Sequence, residues 1–106
     1  MRNRAMRVII FFDLPNVYMR DKKNYLKFRK FLINDGFLMM QESVYSKLCL
    51  NSIQCNSIVD RVKKNAPQKG FIQSLIITEN QYAKIENIIG KSNTKILNTE
   101  DRLVIL

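Results

Sequence analysis

The order of apolar segments along the chain predicts an α+β fold. Runs of β-branched and aromatic residues alternate with amphipathic helical segments in the order strand, helix, strand, helix, strand, strand, with one more strand at the end. The 106 residues show no internal repeat and no linker, so we expect a single domain over residues 1–106. This order predicts a ferredoxin-like βαββαβ sandwich, with its helices on one face of an antiparallel sheet and an extra C-terminal strand.

The first strand is predicted over residues 7–13 and ends at a carboxylate. Residues Val8 to Phe12 are apolar without alternation, which is typical of a strand that is buried on both faces. Asp13 follows them, and the Leu14-Pro15 pair stops the strand. An acid at this point lies at the end of the sheet, where a ligand or a metal ion can reach it.

The first helix is predicted over residues 20–34. It ends at Asp35-Gly36, where glycine fits the left-handed conformation that follows a helix. The face that we expect to pack on the sheet carries Tyr25, Phe28, Phe31 and Leu32. The opposite face carries a narrow basic stripe of Arg20, Lys23, Lys27 and Lys30. Arg29 falls inside the apolar sector, where a guanidinium needs a partner.

The middle of the chain predicts one extended segment and a second helix. Residues 37–50 are extended, and we expect a bend or bulge near residues 41–43, where polar side chains cluster. Asn51 or Ser52 then caps a helix that ends before Pro67.

The last third of the chain predicts short strands around one helical turn. Gly70 opens a strand over residues 71–77, and Thr78 to Gln81 has the pattern of a capping box. Residues 85–89 predict a short strand and residues 91–98 a loop.

The C-terminal residues predict an apolar edge strand that would be unpaired in a monomer. The terminal apolar strand contains Leu103, Val104, Ile105 and Leu106. Such a strand would be an exposed edge in a monomer. We therefore expect residues 91–106 to form a tail whose strand pairs with the partner protomer of a two-fold homodimer.

Composition favours an anionic partner and restricts the chemistry. The formal charge is +9, from 18 basic and 9 acidic residues, so nucleic acid is the first expected partner and an acidic membrane surface the second. No apolar run approaches the roughly 20 residues of a membrane span, and no signal peptide is recognised, so the expected location is the cytoplasm.

There is no histidine. Cys49 and Cys55 lack metal-site spacing and are expected to be reduced structural residues. Chemistry must therefore rest on carboxylates, hydroxyls and a hard cation such as Mg²⁺.

Three groups of residues could carry a function. Asp13 is a candidate magnesium ligand if a two-fold axis brings two copies together; the alternative is a turn in which Asp13 bonds its own backbone. The basic stripe is a candidate phosphate-binding face, favoured over an ordinary solvated face because it lacks acidic partners four residues away. The third group is Ser43, Tyr45 and Ser46, for which structural roles are favoured because no activating base is evident.

The chain also resembles a known family in the order and spacing of several segments. These are Val8 to Pro15, Phe28 to Leu32, Gly36-Phe37, Gln41 to Lys47 and Arg102 to Ile105. They resemble the small subunit of the CRISPR adaptation complex, the family named second among the CRISPR-associated proteins. The Ser43 to Lys47 segment is most similar to versions from type II systems.

This resemblance implies a ferredoxin-like homodimer with a metal-binding aspartate at the end of the first strand, which is Asp13 here. It implies magnesium-dependent endonuclease activity on RNA or DNA. It also implies a bridging role between two dimers of the large integrase subunit, so that a spacer DNA duplex is inserted into the repeat array. Arg29 matches a family arginine, which adds it to the expected nucleic-acid-binding residues. A toxin-like messenger-RNA endonuclease of the same fold is the alternative.

Overall fold

The computed structural model describes residues 5–90 and confirms the α+β class and the βαββαβ order. A third, short helix follows the motif. The elements in chain order are β1 (Met6–Asp13), α1 (Met19–Asn34), β2 (Leu38–Gln41), β3 (Val44–Cys49), α2 (Ser52–Lys64), β4 (Phe71–Thr78) and α3 (Glu79–Ala83).

The four strands form one antiparallel sheet in the order β2-β3-β1-β4. Helices α1 and α2 cover one face of it. The core between them contains Val8, Ile10 and Phe12 from β1, together with side chains from both helices. Register places Asp13, the last residue of β1, opposite Phe71, the first residue of β4. The end of the first strand therefore lies beside the start of the last one.

Helix α1 begins and ends as the sequence predicts. The backbone N–H of Tyr18 donates to Asp21 Oδ2 at 2.9 Å, which occupies that carboxylate at the helix start. Gly36, with φ of +101°, follows its C-terminus. Phe28 and Leu32 are buried, and Tyr25 and Phe31 pack against the core, so the predicted apolar face is confirmed.

The bend predicted near residues 41–43 is a reversal of chain direction. Strands β2 and β3 pair as a hairpin, with Glu42 and Ser43 in the turn and a register irregularity between Met39 and Gln41. Glu42 and Ser43, polar residues between two strand-forming runs, form the turn itself. The hairpin provides two strands between α1 and α2, as the βαββαβ motif requires.

The strand predicted over residues 85–89 is wrong. Those residues follow α3 and form no strand, and Ile88 and Ile89 are 89 % and 94 % exposed. Helix α3 follows β4 directly, so the chain has left the sheet before these residues. The helical turn itself is confirmed, because the Thr78 Oγ1 accepts the Gln81 N–H at 3.0 Å and the Gln81 side chain accepts the Thr78 N–H. The predicted loop over 91–98 and the terminal strand lie outside the described residues.

The expectation that Cys49 and Cys55 are reduced is also wrong. They form a disulfide that links the end of β3 to the first turns of α2, with their Cα atoms 5.6 Å apart. Asn51 caps α2 by accepting the Gln54 N–H at 2.8 Å, and this turn carries Cys55 back over Cys49. The six-residue spacing alone does not reveal that turn.

Among the described residues, no long helix lies on the second face of the sheet. The sequence predicts that β1 is buried on both faces. On this face Ile9 is buried as predicted, but Phe11 is 37 % exposed, while Val8 and Ile10 on the helix-covered face are fully buried. At the other end of this face, α3 is held by Arg7, which bonds Glu79 at 2.7 Å and lies 4.2 Å from the centre of the Tyr82 ring. Among residues 5–90, no helix is long and apolar enough to cross a membrane.

Candidate functional site

Asp13 is an exposed carboxylate at the end of β1. Its side chain makes no hydrogen bond and no ion pair within residues 5–90. Within these residues, Asp13 therefore does not form the turn of the alternative interpretation, in which its carboxylate accepts a hydrogen bond from its own backbone. Within residues 5–90, nothing occupies the carboxylate oxygens.

Asp13 projects from the same face of the sheet as a set of exposed apolar side chains. Alternation along the strands places Phe11, Leu38, Leu48, Phe71 and Leu75 on this face, which we call the open face. Their exposed fractions run from 37 % for Phe11 to 74 % for Phe71. The site is thus a single acid at the margin of an apolar surface.

The backbone of Asp13 is in contact with Gly70, the residue before β4. A Cβ on Gly70 would stand 2.8 Å from the Asp13 carbonyl oxygen and 2.8 Å from Leu14 Cδ2. Gly70 also has a φ of +103°, which favours glycine. This close approach sets the position of the strand end that carries the carboxylate.

The predicted nucleic-acid-binding residues separate into two groups. Arg20, Lys23, Lys27 and Lys30 are exposed and form no ion pair within the described part of the chain. Arg20 lies in the first turn of α1, at the Asp13 end of the molecule, and its guanidinium lies 4.7 Å from the centre of the Tyr18 ring. Lys30 is farther away, because ten helical residues span about 15 Å.

Arg29 faces the protein interior. It is half-buried, and its charge acts on the hydroxyl of Tyr45. Burial raises the pKa of Tyr45 and outweighs the opposing effect of Arg29. The two groups interact through charge, and the Tyr45 hydroxyl makes no hydrogen bond within residues 5–90.

The hydroxyl residues of β3 and the preceding turn have structural positions. Tyr45 and Ser46 are fully buried, so neither can reach a substrate in this chain. The carbonyl of Ser43 accepts the Phe12 N–H at 3.1 Å and ties the hairpin turn to β1. These observations agree with the preference for structural roles.

Lys47, also in the resembling segment, belongs to an ion cluster at the end of α1. Its Nζ donates to the carbonyl of Asp35 and lies 3.4 Å from Asp35 Oδ2. Arg61 of α2 donates to both carboxylate oxygens of Asp35, at 2.9 and 3.1 Å. Burial opposes the charged carboxylate, but Arg61 and Lys47 together lower the pKa of Asp35. The cluster joins α1, β3 and α2.

Sequence reasoning missed the residues of the loop before β4, whose last member, Gly70, adjoins the Asp13 backbone. The loop before β4 brings Gln68 and Lys69 next to the start of α1, where they line a groove with Arg20 and Asn24. The sheet order could have identified this loop, because the ferredoxin-like topology places the start of β4 beside the end of β1. No group of three or more potential metal-ligating side chains occurs within residues 5–90.

Comparison with known proteins connects this geometry to a family. The family model of CRISPR associated protein Cas2 matches residues 6–85. A protein from Treponema denticola, named CRISPR-associated endoribonuclease Cas2, is 54 % identical over 95 % of this chain and 100 % of its own length. A protein of the same name from Streptococcus mutans serotype c is 46 % identical over 95 % of this chain and 93 % of its own.

A solved structure supports the fold. This structure, described as "Crystal structure of cas2", aligns with a TM-score of 0.57 at 18 % identity, over 95 % of this chain and 99 % of that one. The resemblance found in the sequence is confirmed by the matched range and by the identities. The chain belongs to the Cas2 family of CRISPR-associated proteins.

Proposed function

We propose that this protein is a magnesium-dependent endonuclease of CRISPR adaptation that works as a two-fold homodimer in the cytoplasm. RNA is the first proposed substrate, because the relatives described above are named endoribonucleases, and DNA is the second. The observation that carries the proposal is the exposed Asp13 carboxylate on the open face, which has no partner within residues 5–90. Family membership favours this function over that of a toxin-like messenger-RNA nuclease.

The open face supports dimerisation with a second copy of the chain. Leu75 is 49 % and Phe71 is 74 % exposed, and a contiguous apolar surface of this kind is unusual on a monomer. Strand β1 is apolar on both faces, yet α1 and α2 cover only one of them. A two-fold axis across the open face would bring two Asp13 carboxylates together, which supplies the acid that a single chain lacks.

The donor chemistry of Asp13 fits magnesium. Its oxygens are hard ligands without partners in the described part of the chain, and Mg²⁺ binds through one or two carboxylates while keeping several waters. When bound, the ion would supply an activated water and stabilise the charge that develops on the phosphodiester. The chain's own contribution is to hold the ion with Asp13 and the substrate backbone with nearby cations such as Arg20.

The test of this activity compares Asp13→Asn with Asp60→Asn on single-stranded RNA in MgCl₂, with EDTA as a further arm. Asp60 is an exposed acid on α2, which covers the opposite face of the sheet from Asp13, so it controls for loss of one negative charge. We expect Asp13→Asn to abolish cleavage and Asp60→Asn to retain it. Equal cleavage by Asp13→Asn and wild type would contradict the proposal.

The dimer is tested with a charge placed on the open face. Leu75→Lys should give a monomer in sedimentation equilibrium and lose cleavage, because a buried unpaired ammonium is costly. Ile53→Lys, at an 82 % exposed position on α2, is the matched control and should stay dimeric. A dimeric Leu75→Lys protein would show that the subunits meet elsewhere.

A second candidate function is that of a structural bridge for the large integrase subunit and spacer DNA. It is favoured by the basic stripe, which lacks ion-pair partners within residues 5–90 and so remains available to phosphates. The proposed docking strand, Leu103 to Leu106, lies outside the described residues. Its removal should abolish spacer insertion with the large subunit; insertion at the wild-type level would rule out that role for the tail.

A further inference from the structure

A groove beside Asp13 runs between the start of α1 and the loop that precedes β4. It has a volume of about 350 Å³ and is lined by Arg20, Asp21, Asn24, Pro67, Gln68 and Lys69. A smaller cleft shares four of these residues and extends beneath Leu14 and Pro15. The groove therefore reaches the residues that directly follow the candidate catalytic carboxylate.

The accessible charge of this groove is positive. Arg20 and Lys69 are exposed and form no ion pair among residues 5–90. The one acid in the lining, Asp21, is only 7 % exposed, and its Oδ2 accepts the Tyr18 N–H at the start of α1. The amides of Asn24 and Gln68 add hydrogen-bond donors without adding charge.

The two cations are positioned by their neighbours. Arg20 lies over the Tyr18 ring, and a stacked guanidinium keeps its edge free to bind a phosphate. Lys69 directly precedes Gly70, which lies against the Asp13 carbonyl. Because consecutive Cα atoms are about 3.8 Å apart, the Lys69 backbone lies close to the end of β1.

We infer that this groove is a phosphate subsite, in which Lys69 and Arg20 hold the nucleic-acid backbone next to the phosphodiester at Asp13. The inference rests on the proposed function and deepens it, because it adds a binding residue from the loop before β4. Its ligand is a backbone phosphate of a single strand, and the contact carries no base specificity. Lys69 would fix the direction in which the strand leaves the Asp13 site.

The test measures binding without cleavage. The full-length chain carrying Asp13→Asn is titrated with a fluorescein-labelled single-stranded oligoribonucleotide across a range of KCl concentrations. Lys69→Ala is added to this background, with Lys84→Ala as the matched control. Lys84 is an exposed lysine next to α3, at the opposite end of the sheet from Asp13. Lys69→Arg tests whether charge alone restores binding.

We expect Lys69→Ala to weaken binding about fivefold at low salt and to reduce the slope of log K against log salt by about 0.7, the value for one neutralised phosphate on a single strand. Lys69→Arg should restore both, and Lys84→Ala should change neither. If Lys69→Ala and Lys84→Ala behave alike, the subsite is disproved, whatever Asp13→Asn does to cleavage. Because binding is measured in the Asp13→Asn background, failure of the nuclease proposal would show separately, in the cleavage assay.

Discussion

The backbones of Gly70 and Asp13 lie so close together that a Cβ on residue 70 would stand 2.8 Å from the Asp13 carbonyl oxygen. The contact joins the end of the strand that carries the candidate carboxylate to the start of its neighbour. A methyl group cannot fit there without moving the strand end.

Gly70→Ala should therefore impair both stability and cleavage. The strained φ costs about 1–3 kcal/mol, and the collision displaces Asp13 as well. Gly90→Ala is the matched control, since Gly90 has a φ of +96° but nothing within 4 Å of its added Cβ. Urea unfolding should show both variants destabilised, with Gly70→Ala the worse, and only Gly70→Ala should lose RNA cleavage. Normal cleavage by Gly70→Ala would mean that the backbone contact does not position the site.

Reversing the charges of the basic stripe should weaken DNA binding. The triple change Lys23→Glu, Lys27→Glu, Lys30→Glu removes three cations that have no ion-pair partner within residues 5–90. It should reduce the salt slope for duplex DNA by about 0.9 for each phosphate that is no longer neutralised. Reversal of Lys63 and Lys64, which are exposed in the last turn of α2, is the control. Fluorescence anisotropy across a salt series measures the effect. An unchanged slope for the triple variant would remove the stripe from the DNA-binding surface.

Stability should fall on acidification through the Asp35 cluster. The pKa of Asp35 is lower in the folded chain than its ordinary value, so its charged form stabilises the fold at pH values above the unfolded pKa of about 3.9. This stabilisation is lost as the pH falls through the folded pKa. Asp35→Asn should reduce the free energy of unfolding near neutral pH by about 1–3 kcal/mol, because Arg61 and Lys47 lose their partner.

The measurement is urea unfolding between pH 7 and pH 3. The Asp35→Asn protein should show a smaller decrease in stability over the acidic range than wild type. Asp60→Asn, which removes an exposed acid with no ion pair within residues 5–90, should follow the wild-type curve. If Asp35→Asn and wild type lose stability in parallel, another group controls the acid transition.

Reduction of the Cys49–Cys55 disulfide should destabilise the fold. For a loop this short, chain entropy predicts a decrease of about 2 kcal/mol in the free energy of unfolding. Unfolding of wild type with and without dithiothreitol measures this decrease. The double variant Cys49→Ala, Cys55→Ala should be insensitive to the reductant. A wild-type protein that is equally stable in both conditions would contradict the prediction.

Local patterns in the sequence predict those features that depend on neighbouring residues. The end of β1 at Asp13, the glycine after α1 and the capping box at Thr78 are all visible in short segments. A bend and a tight turn have similar composition, so residues 41–43 did not reveal the hairpin. The disulfide and the approach of Gly70 to the Asp13 backbone depend on how elements meet in space, which the sequence shows only after the sheet order is known.

The anchoring of α3 has a consequence for how two copies could meet. Arg7 holds this helix across one end of the open face through Glu79 and Tyr82. In a symmetric pair, the two α3 helices would act as end stops that block sliding of one sheet along the other. Their separation would then set the register of the two sheets, so the Arg7–Glu79 salt bridge would influence the relative position of the two Asp13 carboxylates.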